Sequence, residues 1–214
     1  MSAHVSGPAS ILREPWPSVP RQREGVTFGM WAFLATEVLF FGALILVYAV
    51  YRDLYPDAFR AAARATDIVY GTVNTVLLLT SSFVMTLAID AGAAGARRVA
   101  ILCLAVTAAL GTAFMVVKGF EYYEDIQNGL LPDAGLPLPS PMSRLFFALY
   151  WVMTGVHAIH LAIGIGFVLV MIVLLARSTL AAESPALDVA ALYWHFVDTV
   201  WVLLYALIYL PGRS

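Results

Sequence analysis

Five apolar stretches constrain this chain more than anything else in it. They run over roughly 26–51, 68–89, 99–120, 146–175 and 190–210. At about 1.5 Å per helical residue, each can cross ~30 Å of hydrocarbon. The spacing therefore predicts an all-α fold: a polytopic membrane helix bundle with five transmembrane helices. The fourth stretch, about 30 residues or roughly 45 Å as a helix, must tilt or protrude. Composition agrees, because only 12% of residues are charged and 61% are hydrophobic. A soluble domain carries about twice that charged share.

Between the stretches lie short connections rich in charge, Gly or Pro, none long enough to fold alone. Residues 1–24 form a polar segment with Pro8, Pro15, Pro17 and Pro20, without the apolar core of a signal peptide. Residues 25–214 form one five-helix domain, whose first helix is expected to act as its own insertion signal. The longest connection, 121–144, contains the Pro-rich run 136–141, which reads as an extended surface loop. The net charge of -2 offers no basic field for nucleic acid. The single cysteine, Cys103, cannot form an internal disulfide. Basic residues divide six against six between the two sides of the membrane. The Arg97-Arg98 pair in a very short loop leans toward a cytoplasmic N-terminus.

Ionisable groups inside a span cost a few kcal/mol each on insertion scales, so those retained at depth are informative. Five stand there: Glu37, His157, His160, His195 and Asp198. Glu37 lies about 12 residues, roughly 18 Å, from either end of its span, too deep for its short side chain to snorkel. Phe33, Leu34, Phe40 and Phe41 surround it at helical spacing, which favours the neutral acid. It must be neutral, paired with a histidine from another helix, or in contact with water or lipid. One reading is a proton-active or lipid-contacting carboxyl; the other is a structural acid bonded to a neighbouring helix.

His157 and His160 share a face of the fourth helix, with Gly164 one turn on. Two imidazoles at that spacing can share a metal, or they can make interhelical hydrogen bonds across a close-packed glycine face. His195 and Asp198, three apart, can pair with each other. Trp194, Trp201 and Tyr205 share the Asp198 face, while Tyr193, Trp194 and His195 also fit an interfacial belt. Asn74, Thr75, Thr80, Ser81 and Ser82 read as helix-packing polar residues. The run from Lys118 to Glu124 reads as a solvated helix end with a Lys118/Glu121 or Lys118/Tyr122 contact. There is no P-loop, nucleophile elbow, CxxC or CxxCH motif. An independent proton-coupled transporter and a histidine-ligated haem carrier are the competing classes, but no internal repeat supports the former.

Four stretches in chain order resemble the subunit III family of haem-copper oxidases. They are Phe28-Gly29-Met30-Trp31 through Thr36-Glu37-Val38-Leu39-Phe40-Phe41; Asn74-Thr75 through Ser81-Ser82; Glu121-Tyr122-Tyr123-Glu124; and Thr154-Gly155-Val156-His157-Ala158-Ile159-His160 with Gly164, followed by Tyr193-Trp194-His195-Phe196-Val197-Asp198 with Trp201. The resemblance implies an accessory, metal-free subunit without an active site of its own, with haem and copper in partner subunits. It implies packing on subunit I, bound phospholipid, and support of proton uptake and sustained turnover in a bacterial inner membrane. Glu37 matches the family's carbodiimide-reactive carboxyl. Trp194 and Trp201, with His157 and His160, are expected to border the lipid groove. The family's first two helices are missing, as in the short form of bacterial quinol oxidases. The short pattern also fits the accessory subunit of nitric oxide reductases.

Overall fold

The computed structural model describes residues 19–132, 135, 140–179 and 184–211, except the side chains of residues 19, 20, 22 and 23. Six helices follow in order: α1 Val19–Leu54, α2 Pro56–Ala65, α3 Ile68–Ala93, α4 Arg97–Gln127, α5 Ser143–Ala176 and α6 Pro185–Ile208. Five of them, all but α2, are long and apolar enough to cross a membrane. No strand occurs among the described residues. At 34 residues, α5 is about 51 Å long, beyond the hydrocarbon thickness as expected.

Local chemistry sets the boundaries. The Asp67 carboxylate accepts a hydrogen bond from the Val69 N–H at 2.7 Å and caps α3, and Ser184 does the same for α6. Pro56 and Pro185 occupy first-turn positions, where the missing N–H costs nothing. The turn between α3 and α4 is short because Gly95 adopts φ +70°, a conformation that only glycine takes freely. Arg97 donates to Ser178 Oγ at 2.7 Å and to the Ala176 carbonyl at 2.8 Å. It thereby satisfies an orphan acceptor at the end of α5.

Helices α3 to α6 form a four-helix bundle, with α3 against α4 and α6 at the centre, touching α1, α3 and α5. Helix α1 leans from outside on α5 and α6. Its inward stripe, Met30, Leu34, Glu37, Phe41, Ile45 and Tyr48, follows the three-and-four spacing of a helix face. Tyr48 ends that stripe by donating to the Leu207 carbonyl at 2.7 Å. Two glycines admit α6 aromatics against neighbouring backbone. A Cβ on Gly111 would lie 2.7 Å from Trp194, and one on Gly71 would lie 2.9 Å from Tyr209.

Two features differ from the sequence expectation, and a third cannot be compared. Helix α1 begins at Val19, inside the segment read as polar and Pro-rich; Pro20 falls in its first turn, where proline is tolerated. The short helix α2 was not expected. Its buried face is Ala58, Phe59, Ala62 and Ala63, too brief a periodic signal to stand out from a charged connection. The Pro-rich loop reading falls largely on 136–139, outside the described residues.

Candidate functional site

The polar groups at depth divide into a partly exposed pair, a set of buried groups inside the bundle and a buried charge cluster. The pair joins α1 to α5: His160 Nε2 lies 3.0 Å from Glu37 Oε2, with both side chains 16% exposed. His160 Nδ1 lies 2.8 Å from the Val156 carbonyl. A carbonyl only accepts, so Nδ1 carries a hydrogen. The Nε2···Oε2 contact then needs one proton of its own, on the carboxyl or on the imidazole. Either placement leaves the pair electrically neutral overall, which is how it tolerates the membrane interior. Phe40 and Phe41 close over the imidazole, with ring centroids 6.5 and 5.2 Å away.

His157 and His160 do not converge. His160 reaches out to α1, whereas His157 is wholly buried between Phe114 and Trp201, at 5.6 and 5.1 Å between ring centroids. Among the described residues, no three His, Cys, Asp or Glu side chains are placed to hold a metal.

His195 and Asp198 do not bond to each other. The Ser82 hydroxyl on α3 lies 2.6 Å from His195 Nδ1. Both Asp198 oxygens are buried without a hydrogen-bonding side chain or backbone group, as are the polar atoms of Asn74, Thr107 and His157. These four residues come from α6, α3, α4 and α5 and are all buried inside the bundle. Two α6 tryptophans bond to hydroxyls of α3. Trp194 Nε1 donates to Ser81 Oγ and Trp201 Nε1 to Thr75 Oγ1, each at 3.1 Å. Trp194, Trp201 and His157 are therefore core residues, and neither an interfacial belt nor a lipid groove can be built from them. The exposed face beside the Glu37–His160 pair runs instead past Phe33 and Phe40. Gly164 lets the Tyr193 and Trp194 rings approach α5, while Gly155 has only the Tyr122 hydroxyl near it.

The run from Lys118 to Glu124 corrects the sequence reading most. The expected Lys118/Glu121 contact is present at 2.9 Å, but its side chains are 3% and 2% exposed, not solvated. Lys118 Nζ also donates to Tyr150 Oη at 3.0 Å and Tyr209 Oη at 2.8 Å. It stands 4.7 Å above the Tyr122 ring. Tyr209 donates to Glu121 Oε1 at 2.6 Å. Tyr150 Oη lies 2.9 Å from Glu121 Oε1 and 2.7 Å from Asp125 Oδ2. Tyr122 packs on Trp151 at 4.3 Å and bonds to Thr154. The sequence signal for this cluster was the 3.6-residue periodicity of Phe114, Lys118, Glu121 and Asp125, which continues the buried stripe of α4.

The comparisons with known proteins agree with one another. A family model described as Cytochrome c oxidase subunit III matches residues 18–213. "Cytochrome c oxidase subunit 3" of Alkalihalophilus pseudofirmus is 31% identical over 192 residues, covering 86% of this chain and 85% of the relative. "Cytochrome bo(3) ubiquinol oxidase subunit 3" of Pseudomonas aeruginosa is 28% identical, covering 86% and 84%. "Heme-copper oxidase subunit I+III" of Aeropyrum pernix is 31% identical over 92% of this chain but only 24% of its own length.

Proposed function

This chain belongs to the cytochrome c oxidase subunit III family, and on that premise we propose that it packs on subunit I of a haem-copper respiratory oxidase as a metal-free accessory subunit. There it holds phospholipid and supports proton uptake and sustained turnover. The Glu37–His160 pair carries this reading. A one-proton, net-neutral pair with 16% of each side chain open meets lipid on one side and the bundle on the other. A relative whose name joins subunit I and subunit III in one chain supports direct packing between the two here. The lipid tails lie along the exposed rings Phe33 and Phe40 beside the pair. The complex sits in a bacterial inner membrane, with the N-terminus of this chain on the cytoplasmic side.

Affinity purification of the tagged chain from native membranes is expected to bring down a haem-bearing partner and co-extracted phospholipid. Deleting the chain should leave the partner's initial turnover intact while shortening its working life. Loss of initial chemistry with the haems intact would reveal a catalytic role and defeat the accessory reading.

A second test bears on Glu37. A hydrophobic carbodiimide reacts with a protonated carboxyl reached from the membrane, and is expected to label Glu37 in preference to Asp198, whose carboxyl is buried in the bundle. Glu37→Gln should still assemble, since its amide can donate to His160 Nε2, and should lose the label completely. Peptide mapping that finds the label undiminished in Glu37→Gln would place the reactive carboxyl elsewhere.

A further inference from the structure

The charge cluster at the end of α4 is one hydrogen short. Its six polar contacts are Lys118 to Glu121, Tyr150 and Tyr209; Tyr209 to Glu121; and Tyr150 to both Glu121 and Asp125. All lie between 2.6 and 3.0 Å, inside hydrogen-bonding range. Each needs one hydrogen. The ammonium supplies three and the two phenols one each, making five. Lys118 and Tyr209 are fully committed. Tyr150 has a single hydrogen to offer two carboxyls, so a linear bond can reach only one of them at a time.

Within the cluster, a sixth hydrogen that gives each contact its own linear bond can sit only on a carboxyl. Glu121 accepts from Lys118 on one oxygen and from Tyr209 on the other, so it is the ionised partner. Asp125 touches the cluster only through Tyr150, and a protonated Asp125 Oδ2 donating to Tyr150 Oη frees Tyr150 to donate to Glu121. Every contact is then supplied, and the cluster of Lys⁺, Glu⁻ and neutral Asp carries no net charge. An uncompensated charge at such a buried site would be costly.

Both carboxyls of the cluster border a route to the surface, and Asp125 is the one not already held by Lys118 and Tyr209. It lines an open cavity of about 350 Å³, together with Ala65 and Thr66 at the end of α2, Asp67 and Tyr70 of α3, and Glu121, Glu124 and Asn128. The cavity lies at the membrane face where α4 and α6 end, opposite the start of α1. Asp67 and Glu124 bring negative charge to its rim, where Tyr70 donates to Glu124 Oε1 at 2.6 Å. Arg64, one residue before the lining, is the nearest cation in sequence. Acidic walls raise the local concentration of protons.

We infer that Asp125 is a proton-binding site that exchanges through this cavity and is read out by the Tyr150 hydroxyl. When the proton leaves the carboxyl for water in the cavity, Tyr150 turns its hydrogen from Glu121 to Asp125. The Glu121 carboxylate then keeps only Lys118 and Tyr209. When the proton returns, the hydroxyl turns back. The ligand is a single proton, and the residues that respond to it join α4, α5 and α6.

The test is infrared difference spectroscopy on the full chain in lipid nanodiscs, titrated from mildly acidic to mildly alkaline buffer. The wild type is expected to show a protonated-carboxyl C=O band that shifts in D2O and bleaches as the pH rises. Asp125→Asn, whose amide still donates to Tyr150, should lose one titrating component of the band, leaving any contribution of Glu37 and Asp198, while Glu124→Gln at the rim should keep that component. A band unchanged in Asp125→Asn, or absent from the wild type across the titration, overturns the inference. If Asp125→Asn does not accumulate, Asp198→Asn labelled with carboxyl-¹³C aspartate serves instead. Asp125 and Asp198 are the two buried aspartates among the described residues. A titrating band that moves with the label then supports Asp125, and one that does not move excludes it.

Discussion

Lys118→Met is expected to destabilise the folded chain by ~3–5 kcal/mol, the cost of removing one partner from a buried ion pair. Lys118 and Glu121 are almost completely withdrawn from solvent, so the substitution leaves a carboxylate with no counter-charge and deprives two phenol oxygens of a donor. The prediction separates the pair from its members. Lys118→Met with Glu121→Gln removes both charges and should recover much of the loss, because replacing a whole buried pair is often close to neutral. Denaturation of the purified chain in detergent would measure all three proteins. A single variant as stable as the wild type would show that the cluster is hydrated and that its burial is not what holds it.

Gly111→Ala is expected to cost ~1–3 kcal/mol, the usual range for overpacking a filled core. The added methyl would sit 2.7 Å from the tip of the Trp194 indole and 3.2 Å from Ile165. Trp194 cannot simply withdraw, because its Nε1 is tied to Ser81 on α3 and the Gly164 backbone lies against its other edge. Trp194→Phe shortens the ring at the point of collision, and combining it with Gly111→Ala should return part of the loss. A coupling of about 0.5–3 kcal/mol is expected for residues in direct contact. Additive effects in the double-mutant cycle would mean that the two helices part at no cost, and the close approach would carry no energy.

The spans were legible because a bilayer imposes a length and a composition that an apolar run cannot hide. Glu37 was legible for the same reason: a carboxyl in the middle of such a run has few ways to survive, and pairing with a histidine from another helix was one of them. Which histidine was not legible, since His157 and His160 differ only by which way a helix turns toward α1. The reading of His195 with Asp198 failed because spacing along one helix says nothing about the helix across from it. Ser82 on α3 takes His195, and Asp198 is left facing the interior. Lys118 misled most. Its place near the end of a span, beside two further acids, suggests solvent. Tyr150 and Tyr209 come from helices 32 and 91 residues later in the chain, and they close over it. The short helix α2 and the bundle's tolerance for Trp194 at Gly111 likewise depend on partners distant in sequence.

The position of α1 outside the bundle sets a schedule for synthesis. Glu37 reaches the membrane 123 residues before His160, the group that shares its proton. At the usual pace of translation that interval lasts roughly 6–25 s, far longer than a helix needs to form. Throughout it the first helix waits in lipid with a carboxyl that has no histidine beside it, so it must wait as the neutral acid. Helix α6, on which α1 mainly rests, follows the other five described helices in the chain. Helix α1 is thus made before both of the membrane helices it rests on, and its docking waits for α5 and α6.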